Sequence, residues 1–146
     1  MRRNIVAILV LFMLLGGCTT SSLSTMQRRS IEAKELEGTF EEAYKATLQV
    51  LQDYGYAITN SDYKGGVIRG ETGWKSRGIF VPRQQEVSVI VEEWGKNRVR
   101  ERITFILKED MGLGTQRSRI IEDPKVLQKF YGEIQKEIFV RKNLSK

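Results

Sequence analysis

The sequence predicts an α+β two-layer sandwich, an antiparallel sheet of four or five strands covered on one face by an N-terminal and a C-terminal helix. Three observations carry that expectation. Apolar residues recur at spacings of three and four within 40–54 and again after Pro124, as in a helix that buries one stripe. Between these segments, "EVSVIVEE" and "VRERITFILK" alternate apolar and polar residues, the period of a half-buried strand. A sheet with one apolar face needs a cover, and two amphipathic helices supply it.

The first helix, placed at 40–54, opens on Thr39-Phe40-Glu41-Glu42, a T-x-x-E capping box in which threonine and glutamate satisfy backbone donors reciprocally. Phe40, Tyr44, Thr47, Leu48 and Leu51 form its apolar stripe, and Gly55 ends it because glycine readily takes the left-handed cap conformation. Tyr56–Thr59 and Val67–Thr72 read as short strands around a turn rich in Asn, Ser, Asp and Gly.

Val87, Val89 and Val91 then share one face, against Glu86, Ser88 and Glu92 on the other. In the next strand Val99, Ile103, Phe105 and Leu107 oppose Arg100, Arg102 and Lys108. Both apolar faces fall on one side only if the connection has an odd number of residues. That predicts a hairpin with a three- or five-residue loop near Gly95-Lys96. Glu101 lands on the apolar face and is expected near the sheet end. A further short strand is expected near Arg117–Ile121. Asp123-Pro124 then starts the last helix as cap and first residue, with Leu127, Phe130, Tyr131, Ile134 and Ile138 buried. Gly132 interrupts that helix, as a site of close packing would.

The N-terminus carries a different signal. Arg2 and Arg3 precede an unbroken apolar run of eleven residues, Ile5 to Leu15. That is short of the roughly 20 residues that span a bilayer but suits the hydrophobic region of a secretory signal. The run ends Leu15-Gly16-Gly17-Cys18, which resembles the lipobox of bacterial lipoproteins. The resemblance implies diacylglycerol on the Cys18 thiol, cleavage just before it, and acylation of the new N-terminus. Thr19, where aspartate would retain such a protein at the inner membrane, implies the periplasmic side of the outer membrane, or the outer face of the plasma membrane in a Gram-positive cell. The expected organisation is a signal over 1–17, the lipidated cysteine and a Ser/Thr-rich flexible tether over 18–38, and one α+β domain over 39–146. In layout, and in "EEAYKATLQVLQDYGYAITNSD", "GGVIRG" and "EDPKVLQKFYGEIQKEIF", the domain resembles the helix-grip domains of the C-type lipoprotein of the barrel-assembly machinery.

Composition narrows the function. The 146 residues contain no histidine, which excludes Ser-His-Asp and Cys-His sites and imidazole metal clusters. Without Arg2 and Arg3 the remaining 22 basic and 18 acidic side chains give about +4, too mild for a nucleic-acid footprint. The lone G-x-G of "MGLGTQ" lacks the strand and helix context of a phosphate loop, and Asp62, Glu109, Asp110 and Glu122 lack calcium-loop spacing. No catalytic residue, metal ligand or cofactor is therefore assigned.

The segment most open to partner contact is "GWKSRGIFVPRQQ", which interleaves Trp74 and Phe80 with Lys75, Arg77 and Arg83, a mixture typical of interfaces. Its alternation also fits a strand extension with Ile79 and Val81 turned inward. Two functional expectations follow. One is a non-catalytic interaction or structural lipoprotein, held to the membrane through Cys18 and docking an envelope protein by the sheet face or this segment. The other is a module binding a small apolar or lipid ligand between sheet and last helix, in a cavity lined by Phe105, Phe130 and Ile134.

Overall fold

A computed structural model describes residues 33–76 and 81–144; the expected signal, Cys18 and most of the tether lie outside them. The elements run β1 (Ala33–Glu37), α1 (Phe40–Asp53), β2 (Ala57–Asp62), β3 (Val67–Glu71), β4 (Arg83–Gly95), β5 (Arg98–Asp110), β6 (Gln116–Ile121) and α2 (Pro124–Leu144). All pairings are antiparallel. The order is β1-β5-β4-β3-β2, with β6 also on β5, so the expected α+β sandwich is present with six strands.

β4 and β5, thirteen residues each, form the centre. Val87 faces Phe105, Val89 faces Ile103 and Val91 faces Glu101, and all six side chains are buried. The odd connection is met in a particular way. Glu93 pairs with Val99, and the ladder shifts so that Gly95 pairs with Arg98. The five residues between the aligned pair thus resolve into a bulge at Trp94 and a two-residue turn, Lys96-Asn97. Asn97 takes the turn's left-handed conformation at φ 57°, which asparagine tolerates better than most residues.

Ala33–Glu37 was expected in the tether and is instead a strand. It pairs with β5 from Ala33↔Arg102 to Glu37↔Arg98, buries Leu36, and is fastened to α2 by Gln135, which accepts from Glu37 N–H (2.9 Å) and donates to its carbonyl (3.0 Å). One inward apolar residue in "AKELE" is too little periodicity to signal a strand; the exposed edge of β5 recruits it. β6 pairs with the other half of that edge, from Asp110↔Gln116 to Phe105↔Ile121.

Both helices lie on the inner face. Thr39 caps α1 as expected, its N–H donating to Glu42 Oε2 (2.8 Å) and its Oγ1 accepting from Glu42 N–H (3.3 Å). α1 buries Ala43, Ala46 and Val50 beside Tyr44, Thr47 and Leu51, so the stripe is centred on smaller residues than the aromatic spacing implied. α2 buries Leu127, Phe130, Tyr131, Ile134 and Ile138, and its start is capped by Asp123, whose carboxylate accepts from Lys125 N–H (2.9 Å). The helices run antiparallel: Tyr54, just past α1, meets Phe130 at 4.6 Å between ring centroids, while Ile138 lies against Gly38, just before it.

Two glycines contrast. At Gly66, with φ +65°, an added Cβ would sit 2.1 Å from the Val91 carbonyl oxygen, so β3 approaches β4 there only because the side chain is missing. Gly132 was expected to allow close packing, and does not: a Cβ there would meet nothing within 4 Å. Gly132→Ala should therefore stabilise the domain by roughly 1 kcal/mol, raising Tm by about 4 °C. Gly66→Ala should cost more than about 2 kcal/mol. Thermal unfolding followed by circular dichroism measures both.

Candidate functional site

The partner-contact segment belongs to a hairpin that outgrows the sheet. Beyond the last β3–β4 pair, Thr72 N–H donates to the Gln85 carbonyl (2.8 Å) and Gln85 N–H donates to Thr72 Oγ1 (3.0 Å). Tyr56 O–H donates to Gln85 Oε1 (3.0 Å), and burial pushes its phenol up to about 12. Lys75 and Arg83 then exchange two backbone bonds of 2.9 Å, and the Arg83 guanidinium meets Glu109 at 3.0 Å. The ladder is thus extended, as the strand reading expects, while Trp74 stays 44% exposed and Lys75 is exposed, as contact requires. Arg77 and Phe80 lie outside the described residues, as does Ile79. Val81 is half-buried.

The fold brings a second connection to the same end. Asp110 N–H donates to the Pro82 carbonyl (3.0 Å), tying the segment to the turn between β5 and β6. That turn, Met111-Gly112-Leu113-Gly114, carries two exposed apolar side chains. As a phosphate loop "MGLGTQ" offers only a lone G-x-G, and the exposure of Met111 and Leu113 is not evident from that motif. The signal available was two large apolar residues separated by glycines in a stretch that fits neither helix nor strand.

The outer face of the sheet is not covered by either helix. Ile90, Thr104 and Ile106 are half-buried there among Arg69, Glu86, Arg102 and Lys108, and a concavity of about 460 Å³ opens over Thr59, Arg69, Glu71, Glu86, Ser88 and Ile106. Lys108 pairs with Glu86 across the strands.

On the inner face Glu101 departs from expectation. It sits in the interior at 0% exposure rather than at a sheet end, and the register that put it there holds. Thr47 Oγ1 lies 2.8 Å from both Ala43 O and Glu101 Oε1. A hydroxyl has one hydrogen to give, so a proton on the carboxyl completes both contacts. Glu101 Oε2 has no hydrogen-bond partner among the described residues. Burial, partly opposed by the Thr47 bond, pushes the carboxyl up to about 8. Lys34, opposite in register, holds its Nζ over the Tyr131 ring, 5.9 Å from the centroid. The Tyr131 hydroxyl donates to the Glu101 carbonyl (3.1 Å) and accepts from Ile103 N–H (3.3 Å), backbone groups of β5 at the junction where β1 gives way to β6.

This arrangement holds the carboxyl away from solvent and favours its neutral form. Of the residues expected to line a ligand cavity, Phe105 and Phe130 stack edge to face at 5.0 Å, and both are buried with Ile134. Among the described residues no helix is long and apolar enough to cross a membrane. The sequence matches no family model, and no curated protein matches it.

Glu101 gives a pH dependence with a defined sign. Its folded pKa lies above its ordinary value of 4.5, so its contribution to stability is complete below 4.5, declines as pH rises, and is lost once pH passes about 8. Glu101→Gln should match the wild type near pH 4.5 and exceed it by about 3 kcal/mol at pH 7. Urea unfolding of both chains at pH 5, 7 and 8.5 tests this; a difference independent of pH would refute it.

Proposed function

We propose that the chain is a lipid-anchored cell-envelope lipoprotein whose domain is a non-catalytic interaction module. The anchor reading rests on Leu15-Gly16-Gly17-Cys18 at the end of the apolar run, after Arg2 and Arg3. By the same resemblance Thr19 favours the outer membrane facing the periplasm, or the outer face of the plasma membrane if the cell is Gram-positive. Two acyl chains or more hold such a protein stably, whereas one binds only marginally.

The interaction reading is carried by the outer sheet face, which no element covers among the described residues. Half-buried isoleucines among alternating charges, with a concavity over β3 and β4, suit an envelope protein partner better than solvent alone requires. Among the described residues the one carboxyl strongly shifted by burial, Glu101, is fully buried beneath α1, away from any substrate in solution. Packing of Phe105 on Phe130 leaves the alternative, an apolar ligand between sheet and helix, without a supporting observation.

Expression with the native N-terminus tests both parts. Mass spectrometry of the mature N-terminal peptide should show Cys18 first and carrying diacylglycerol, and Cys18→Ser should remain unprocessed. A photoreactive residue replacing Ser88, on the uncovered face, should give one defined protein adduct in the envelope. A soluble unmodified chain would refute the anchor, and adducts spread over many proteins would refute a specific partner.

A further inference from the structure

We propose that Lys34 and Glu101 form a proton-operated switch at the point where β1 meets β5 and α2. With the carboxyl protonated, Lys34 lies outside on the Tyr131 ring. When the proton leaves, Lys34 turns inward and pairs with the carboxylate. The switch is independent of what the outer sheet face docks.

The register sets the pair. Lys34 on β1 is directly opposite Glu101 on β5, and residues so placed share a face with Cβ atoms ~4.5–5.5 Å apart. Opposite charges at such positions ordinarily attract across the strands. Here the lysine turns elsewhere. Its Nζ sits 5.9 Å from the centroid of the Tyr131 ring and its side chain is exposed, while Glu101 is fully buried. The long lysine stem is flexible enough to serve either partner.

The hydrogen count explains the choice. Thr47 Oγ1 lies 2.8 Å from both Ala43 O and Glu101 Oε1, and a hydroxyl has one hydrogen to give. A protonated acid completes both contacts by donating from Oε1. Without that proton Thr47 can satisfy only one of the two acceptors, and Oε2 has no donor among the described residues. A neutral acid offers an ammonium no charge to approach, so the aromatic face is the better site. A bare carboxylate in the interior reverses that preference, because a buried charge needs a partner of opposite sign.

The other charges around Glu101 are turned away or engaged. On α1, Tyr44 reaches β2 instead, its hydroxyl 2.8 Å from Ser61 Oγ, and Lys45 pairs with Glu41 in solvent. On β5, Arg100 and Arg102 flank Glu101 in sequence and therefore point to the outer face. On β4, the residue opposite is Val91, and Glu93 beyond it is exposed. On α2, Tyr131 donates to the Glu101 carbonyl (3.1 Å), Lys129 lies over the Tyr54 ring and Lys136 is near Glu133 (3.9 Å). On β1, Glu35 faces outward and meets Arg98 (3.8 Å). Lys34 is the cation placed to answer the carboxylate.

The output is a change in how β1 is held. Lys34 on Tyr131 and the Gln135 amide on Glu37 both fasten β1 to α2, and ionisation gives up the first for a contact across the β1–β5 ladder. Burial pushes the carboxyl up to about 8, so Lys34 is on the ring below that pH and on the carboxylate above it.

Competitive acetylation of the full chain, read by mass spectrometry at each lysine, tests the switch. Only an uncharged amine reacts, and a carboxylate in contact holds the proton on a lysine roughly tenfold or more. Lys34 acetylation, taken as a ratio to that of Lys96 on the β4–β5 turn, should fall about tenfold from about pH 7 to about pH 9. In Glu101→Gln the ratio should stay constant. Lys34→Gln should share the wild-type urea midpoint at about pH 5 and lie below it at about pH 9. A constant ratio in the wild type, or the same fall in Glu101→Gln, would overturn the switch. So would a Lys34→Gln effect that does not change with pH, and that comparison decides alone if Glu101→Gln does not fold.

Discussion

The thirteen-residue pairing of β4 with β5 decides which side of the sheet is wet. A side-chain period of two leaves no freedom once Val89 is opposite Ile103: every second residue of both strands turns inward, and the helices must cover that side. α1 and α2 do so as an antiparallel pair, and Tyr54 against Phe130 closes one end of the layer. The edge of β5 is then shared, β1 along one half and β6 along the other. At the junction the Tyr131 hydroxyl satisfies Glu101 O and Ile103 N–H, so a helix side chain completes what neither strand reaches. A buried backbone donor left unmatched there would cost about 1–3 kcal/mol.

The same register imposes a cost. It places Glu101 among Val91, Val99 and Ile103, where an ionised carboxylate is strongly disfavoured. Small residues on α1 accommodate it: Ala43, Ala46 and Thr47 are fully buried and let the helix come close enough for the threonine hydroxyl to reach the carboxyl. Shifting α1 by a turn would leave the acid without Thr47, its one side-chain partner among the described residues.

Much of this was legible. The capping box at Thr39, the proline start of α2 and its five buried residues follow from local chemistry and a period of 3.6. The hairpin follows from a period of two. What escaped has a common cause. β1 is recruited by an edge rather than by its own apolar residues, so "AKELE" shows no pattern. Glu101 violates the pattern, and its position in the interior depends on Thr47, fifty-four residues away. The Met111–Gly114 turn lies by the β3–β4 connection because Asp110 is tied to Pro82, a contact between parts of the chain far apart in sequence. Trp74, Lys75 and Arg83 were visible as a mixed segment, but their neighbours across the sheet were not.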